Sequence, residues 1–396
     1  MFEGKIIIQQ VDVGRLYKHV LRLEGVRHPI KTPKKFNEDA NYIKSEFEKY
    51  GLQISEQKFQ LENFDFEFRN IEASIGDIEK PTILITSHYD TVGGAPGADD
   101  NSSGIAVMLE SARVLAENNK NFNIQFVCFT LEECNPIVVE LCKEKARSLG
   151  LMDDKDRYLN YHVQKLMKKV EDLSIKYLKR GLSIPKTCEK VYSQIENEMT
   201  SDEDEYVEFI RSFSVGLTIE SILGTLASIG STKWVEKAIQ DKREIIGVIN
   251  LERVGYISTK PHSQEMNRLY SFIFPTYKIK TFKKIGDFIV IVGDRKSKQL
   301  AKTFYKQCRK KEINLPSICL RVHFNFNQVV KWACNLLRSD HAPFWRVGIP
   351  ALMITDTCDL RNPYYHRKGD TIDKLDFDFM KKVCQATVGT AIKLSE

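Results

Sequence analysis

The 396-residue chain contains no C-x-x-C pair, no internal repeat, no low-complexity tract and no apolar run of membrane-spanning length. Its nine cysteines, at 128, 134, 142, 188, 308, 319, 334, 358 and 384, are scattered and odd in number. Their spacing excludes a zinc ribbon and argues against a disulfide framework, so reduced thiols and a cytoplasmic location are expected. The N-terminal stretch "MFEGKIIIQQVD" holds only a short isoleucine run, far below a signal-peptide core, so neither secretion nor membrane insertion is expected. A one-sided charge is lacking too. The net charge of +6 is the small difference between 59 basic and 53 acidic residues that are interspersed, so no nucleic-acid or membrane partner is expected. With 42% hydrophobic residues, the chain is an ordinary globular one with ample material for a large core.

Strands alternate with helical patterns. "TILITSH" (82–88), "NIQFVCFT" (123–130), "EIIGVINLE" (244–252), "DFIVIVG" (287–293) and "PALMITD" (350–356) are short, nearly continuous apolar runs, as in strands buried on both faces. Helical periodicity fills 103–117, 231–240, 295–310 and 373–394. The expected fold is α/β, a three-layer sandwich with a mixed, largely parallel central sheet. "FEFRNIEASIG" (66–76) alternates and is expected in an edge hairpin with the segment before it.

The rhythm breaks between 138 and 228. Leu159, Val163, Leu166, Val170, Leu173 and Tyr177 recur at helical spacing, and "TSDEDE" (200–205) offers an N-cap and first-turn acids for another helix. This span reads as an all-helical insertion, serving as a lid or a dimerisation arm, within a discontinuous catalytic domain of residues 1–137 and 229–396.

Ligands of open α/β sheets bind at the carboxyl ends of strands, and polar residues collect there. His88 and Asp90 close one strand, Glu132 and Glu133 follow the next, Glu252 ends the third and His366 lies beyond the last. Each alone suits a cap or a solvated turn. Together with the adjacent aspartates of "GADDNSSG" (97–104), which repel unless a cation lies between them, they form a nitrogen and oxygen donor set without thiolates. A pair of hydrolytic zinc ions sharing one carboxylate takes such a set.

"SHYDTV", "GADDNSSG", "LEE", "NLERVGY", "SDHAPFWRVGIPALMITD" and "YYHRKGDT", in this order, resemble the motifs of the co-catalytic di-zinc aminopeptidases, metallopeptidase family twenty-eight, which have the zinc exopeptidase fold. The likeness covers roughly 10–137 and 229–396. It implies two zinc ions per chain, one on His88, Asp99 and Glu252 and the other on Asp99, Glu133 and His366, with Asp99 as the bridge. In the family the peptide after the bridging aspartate is often cis. The resemblance further implies Glu132 as general base and Asp90 as the acceptor that orients His88. Asp370 is expected to support the region of His366, Asp340 and His341 to be structural or substrate-side, and Arg361 either to meet a substrate carboxylate or to pin its loop.

Two departures stand out. Glu252 occupies a place where many members have aspartate, and the long insertion replaces a short link after the glutamate pair. The implied activity is removal of N-terminal residues from short peptides, by attack of a metal-bound hydroxide with Glu132 as base. Alternatives on the same fold are a glutaminyl-cyclase-like acyltransferase, a carboxypeptidase and a non-catalytic scaffold relative. A homodimer through the insertion is the expectation if it is an arm.

Overall fold

The structure is a computed structural model that describes residues 6–62, 64–118, 122–133, 135–265 and 283–395. The first five residues and Cys134, used above, lie outside the described residues. The strands are β1 (Gln53–Leu61), β2 (Phe64–Ile75), β3 (Thr82–His88), β4 (Ile124–Phe129), β5 (Ile245–Glu252), β6 (Ile289–Gly293), β7 (Ser317–Arg321) and β8 (Ala351–Thr355). They form one eight-stranded sheet in the order β1-β2-β4-β3-β5-β8-β6-β7. Its centre, β4-β3-β5-β8, is parallel, whereas β2 and β6 run antiparallel to β4 and β8. The expected α/β sandwich is therefore present, and β1 and β2 form the expected hairpin at one edge of the sheet. The short strand β7, "SICLR", was too brief and too mixed in polarity to stand out from the sequence.

The helices are α1 (Val13–Leu23), α2 (Pro33–Lys49), α3 (Gly104–Glu117), α4 (Pro136–Ser148), α5 (Tyr161–Lys179), α6 (Ile184–Ile195), α7 (Ser201–Ser212), α8 (Ile219–Ile222), α9 (Ile229–Gln240), α10 (Lys298–Cys308), α11 (Phe326–Trp332), α12 (Ala342–Val347) and α13 (Phe377–Ser395). Side chains alternate across each strand, so the central strands need cover on both faces. Ile83, Ile85, Phe126 and Ile249 meet α1, α2, α3, α10 and α13 on one face. Leu84, Val127 and Val248 meet Trp234 of α9, Val329 of α11 and Trp345 of α12 on the other. None of the described helices is long and apolar enough to cross a membrane. The eight described cysteines are free thiols.

Helices α4 to α8 lie between β4 and α9, with only two isolated bridges, Met152–Tyr158 and Leu223–Ala227, as β structure. They bury two small cores of their own. Leu151, Val163 and Tyr206 make one, and Leu166, Tyr177, Val191 and Val207 the other. Of the apolar series noted in the sequence, Leu159 precedes the Asn160 cap of α5 and stays 57% exposed. Thr200 and Glu203 close a reciprocal capping box at the start of α7. The two ends of the segment are bonded together: Ser228 N donates to Glu132 O, Ile229 N to Leu131 O and Asn135 N to Leu226 O. Gly230 lies so close to Thr130 that a Cβ would stand 2.1 Å from its carbonyl oxygen.

The loop after β3 is fastened by Arg27, which is fully buried with no carboxylate bonded to it among the described residues. Its guanidinium donates to the carbonyls of Tyr89, Leu23, Gly25, Pro96 and Gly97. Removing those donors strands buried acceptors, each costing roughly 1–3 kcal/mol. Arg27→Met should therefore lower unfolding free energy by at least about 3 kcal/mol in denaturant titration, and a change below about 1 kcal/mol would contradict this role.

Candidate metal centre

Carboxyl ends of the parallel strands converge on one group of side chains. β3 ends on His88 and β5 on Glu252, both fully buried, while Glu132 and Glu133 follow β4. The loop 97–103 brings Asp100 to the same group. Gly97 has φ 64°, and a Cβ there would stand 2.3 Å from Asp100 O, so the tight turn requires glycine. The Asp100–Asn101 peptide is cis. Asn101 ties this loop to β5 by donating to Leu251 O and accepting from Arg253 N.

Adjacent aspartates 99 and 100 face opposite ways, and this corrects the expected bridge. Asp99 points away from the histidines. Its Oδ1 accepts from Gly255 N and its Oδ2 from the Asn362 amide. Burial first and the neighbouring Asp356 second raise its pKa well above the carboxylate range. Asp100 takes the central place instead. Its Oδ1 lies 3.4 Å from His88 Nε2 and its Oδ2 3.3 Å from His366 Nε2. Two groups that could each hold a metal ion thus share Asp100: His88, Asp100 and Glu252; and Asp100, Glu133 and His366. A further grouping joins His88, Glu132 and Glu133, but Glu132 Oε2 is 3.9 Å from His88 Nε2, the longest of the imidazole–carboxylate separations at this site.

The donor atoms suit a metal. A tetrahedral zinc with ordinary bond lengths needs its ligand atoms about 3.3–3.5 Å apart. His88 Nε2 is 3.4 Å from Asp100 Oδ1 and 3.5 Å from Glu252 Oε1. Among the described residues, His88 Nε2, Asp100 Oδ1 and Glu133 Oε1 are buried without a hydrogen-bond partner, a costly state unless a cation is held there, while Glu252 Oε1 and His366 Nε2 have ion-pair neighbours, Arg253 Nη2 at 3.0 Å and Glu133 Oε2 at 2.9 Å. Electrostatics agree. Burial pulls His88 down, yet Glu252, Glu132, Asp100 and Asp90 hold its pKa well above the ordinary histidine value. Burial pulls His366 down as well, but Glu133 and Asp100 together bring it up to about 9. Positive charge is demanded here, whether as protons or as metal ions, and binding a metal would displace the protons.

The supporting residues depart from expectation in instructive ways. Asp90 Oδ1 is 3.5 Å from His88 Nδ1, long for a hydrogen bond. The firmer bonds of Asp90 come from the backbone N–H groups of Glu132 and Glu133, at 3.1 and 3.0 Å, so it fixes the turn that presents both glutamates. Asp370 receives the N–H groups of Asp99 and Asp100 and so aims the loop rather than His366. His341 donates its Nε2–H to the Leu336 carbonyl and packs edge-on against Trp345, a structural role. Asp340 is buried near the site and pushed up to about 8, by burial first. Arg361 pins its loop, with Nε donating to Gln264 and Nη1 to Phe288 O.

With this geometry established, likeness to known proteins becomes informative. A profile described as peptidase family M28 matches residues 70–149 and 226–391. The chain belongs to peptidase family M28. The internal gap in that match, between 149 and 226, holds α5 to α8 and their links. Among curated proteins, the uncharacterised Escherichia coli protein YfbL is 24% identical over 369 residues, covering 89% of this chain and 78% of that protein. The Bacillus subtilis aminopeptidase YwaD is 48% identical over 58 residues, only 14% of this chain and 13% of YwaD. The Legionella pneumophila LapA aminopeptidase structure superposes with a TM-score of 0.59 at 17% identity, covering 99% of this chain and 74% of that one. Porphyromonas gingivalis glutaminyl cyclase gives a TM-score of 0.55 at 15% identity, covering 97% and 99%. At these identities the structural likeness is one of fold.

Residues missed from the sequence are Asp100, Arg253, Asn362 and Asp356. Spacing does not separate adjacent aspartates in an irregular loop. Arg253, a basic residue directly after a strand-end acid, was a visible signal. Losing the shared carboxylate should cost both sets their affinity. Asp100→Asn is expected to weaken zinc retention by at least about 100-fold, beyond the usual 10–100-fold cost of supporting residues, whereas Asp99→Asn should keep it within tenfold. Equilibrium dialysis with elemental analysis measures this, and the reverse ranking would restore Asp99 as the bridge.

Proposed function

We propose that this M28 protein is a di-zinc aminopeptidase that removes apolar N-terminal residues from short peptides. The observation that carries the reading is the pair of ligand sets sharing Asp100, with Glu132 beside them at one end of a cavity. His88 and Glu252 would hold one zinc, Glu133 and His366 the other, with Asp100 common to both. When bound, such a pair polarises a carbonyl and lowers the pKa of water.

Glu132 is the group placed to take a proton and return it to the leaving amine. Burial raises its pKa well above the ordinary carboxyl value, with Glu252 and Glu133 adding to the effect against His88. A raised carboxyl pKa favours both acceptance and return of a proton near neutral pH. Asp90, holding the Glu132 and Glu133 backbone, keeps base and ligand in register.

The adjoining cavity, of about 220 Å³, is lined by Glu132, Glu133 and His366 at one end and by Leu178, Leu182, Ile184 and Leu223 elsewhere. An apolar cavity of about 150 Å³ accepts a benzene ring, so this one has room for one apolar side chain. Leu178, Leu182 and Ile184 belong to α5, α6 and their link, which makes the helical insertion a wall of the site. The Asn335 amide donates to Leu178 O and Cys334 Sγ to Gly181 O, fastening that wall to the segment after α11. The lid reading of the insertion is thereby favoured over a dimerisation arm.

Two experiments test the proposal. Glu132→Gln should keep both zinc ions and lose turnover by on the order of 100-fold or more. Metal loss in this variant with unchanged turnover per bound zinc would make Glu132 a ligand instead. A panel of aminoacyl amides, free and N-blocked, should be cleaved only with a free amine and best with leucine or phenylalanine, and chelation should abolish cleavage. Release of ammonia from N-terminal glutamine without peptide hydrolysis would favour the cyclase alternative.

A further inference from the structure

Arg253 follows the strand-end Glu252 with φ 52°, a left-handed backbone that turns its side chain inward, and it is only 4% exposed. Its Nη1 donates to Asp100 Oδ2 at 3.1 Å, and its Nη2 lies 3.0 Å from Glu252 Oε1. The guanidinium carbon sits 4.9 Å over the Tyr365 ring, which in turn stacks on His366 at 3.7 Å. The cation is thus held by the stacked aromatic on one side and by carboxylates of both ligand sets on the other.

The choice of oxygens is decisive. Glu252 has two, and Oε2 is taken by the Ser339 hydroxyl at 2.6 Å. Oε1 is therefore the atom left to serve His88's set, and it is the one Arg253 approaches. On Asp100, Oδ1 faces His88 and Oδ2 faces His366, and Arg253 bonds Oδ2. Both Asp100 oxygens face a histidine, and on Glu252 the guanidinium approaches the oxygen nearest His88 rather than the one bonded to Ser339. Arg253 thus uses the donor atoms themselves, and a fixed positive charge there opposes a dication by simple repulsion.

We propose that Arg253 is a built-in counter-cation of the centre, which stabilises the metal-free protein and competes with the metals for Asp100 and Glu252. It rests on the metal-centre reading above. The role is one of positioning and of setting affinity. It makes the centre exchangeable, so that occupancy follows metal supply.

The test compares wild type, Arg253→Met and Arg253→Lys as full-length proteins, titrated with zinc against a chromophoric chelator after metal removal, with thermal unfolding of the metal-free and loaded forms. Arg253→Met should bind zinc about tenfold or more tighter than wild type, unfold at a lower temperature when metal-free, and gain more on loading, as linkage requires. Arg253→Lys, which keeps the charge, should stay near wild type. If metal-free Arg253→Met does not fold, zinc release from the loaded variant into excess chelator is measured instead, and slower release than wild type is expected. Equal or weaker zinc binding, or equal or faster release, in Arg253→Met would overturn the counter-cation role while leaving the metal centre standing. Failure of the wild type to bind zinc at all would overturn both.

Discussion

Asp100 is the constraint on which the site depends. Its two oxygens face two different histidines, and everything around it serves to keep them so. Gly97 permits the turn, Asp370 receives the N–H groups of residues 99 and 100, and Asn101 fastens the loop to the end of β5. Arg27, through five backbone carbonyls, holds the chain that leads into the loop. These bonds aim one carboxylate between two imidazoles at the carboxyl edge of the sheet, where parallel strands deliver the remaining donors.

Burial makes that arrangement meaningful. His88, Glu252 and Asp100 are almost wholly removed from water, so their charges cannot be relieved by solvent. Among the described residues, unpartnered donor atoms of His88, Asp100 and Glu133 express the same imbalance. Arg253 supplies part of the missing positive charge from within the chain. The rest is a demand that the protein leaves to protons or to metal ions.

Much of this was legible in the sequence, for physical reasons. Strands buried on both faces betray themselves as apolar runs, so β3, β4, β5, β6 and β8 were readable, and polar residues at their ends marked the site. The hairpin of β1 and β2 at one edge was readable from the alternation in 66–76, whereas the short, partly polar β7 at the other edge was not, because such a strand carries no comparable signal. His88, Glu133, Glu252 and His366 meet where their motifs implied. Asp99 does not, since the direction of a side chain in a non-helical loop depends on φ and ψ that neighbouring residue types leave open. The helical insertion was visible from periodicity. That its α5–α6 link walls the cavity could not be read, because contact with Asn335 and Cys334 joins segments far apart in the chain.

The central claim is that two metal ions share the carboxylate of Asp100. Diffraction from crystals of the zinc-loaded protein, with data on both sides of the zinc absorption edge, tests it directly. Two anomalous peaks are predicted, one on each side of Asp100, bounded respectively by His88 and Glu252 and by Glu133 and His366. Peaks flanking Asp99, or a centre with no anomalous signal in crystals grown with excess zinc, would contradict it.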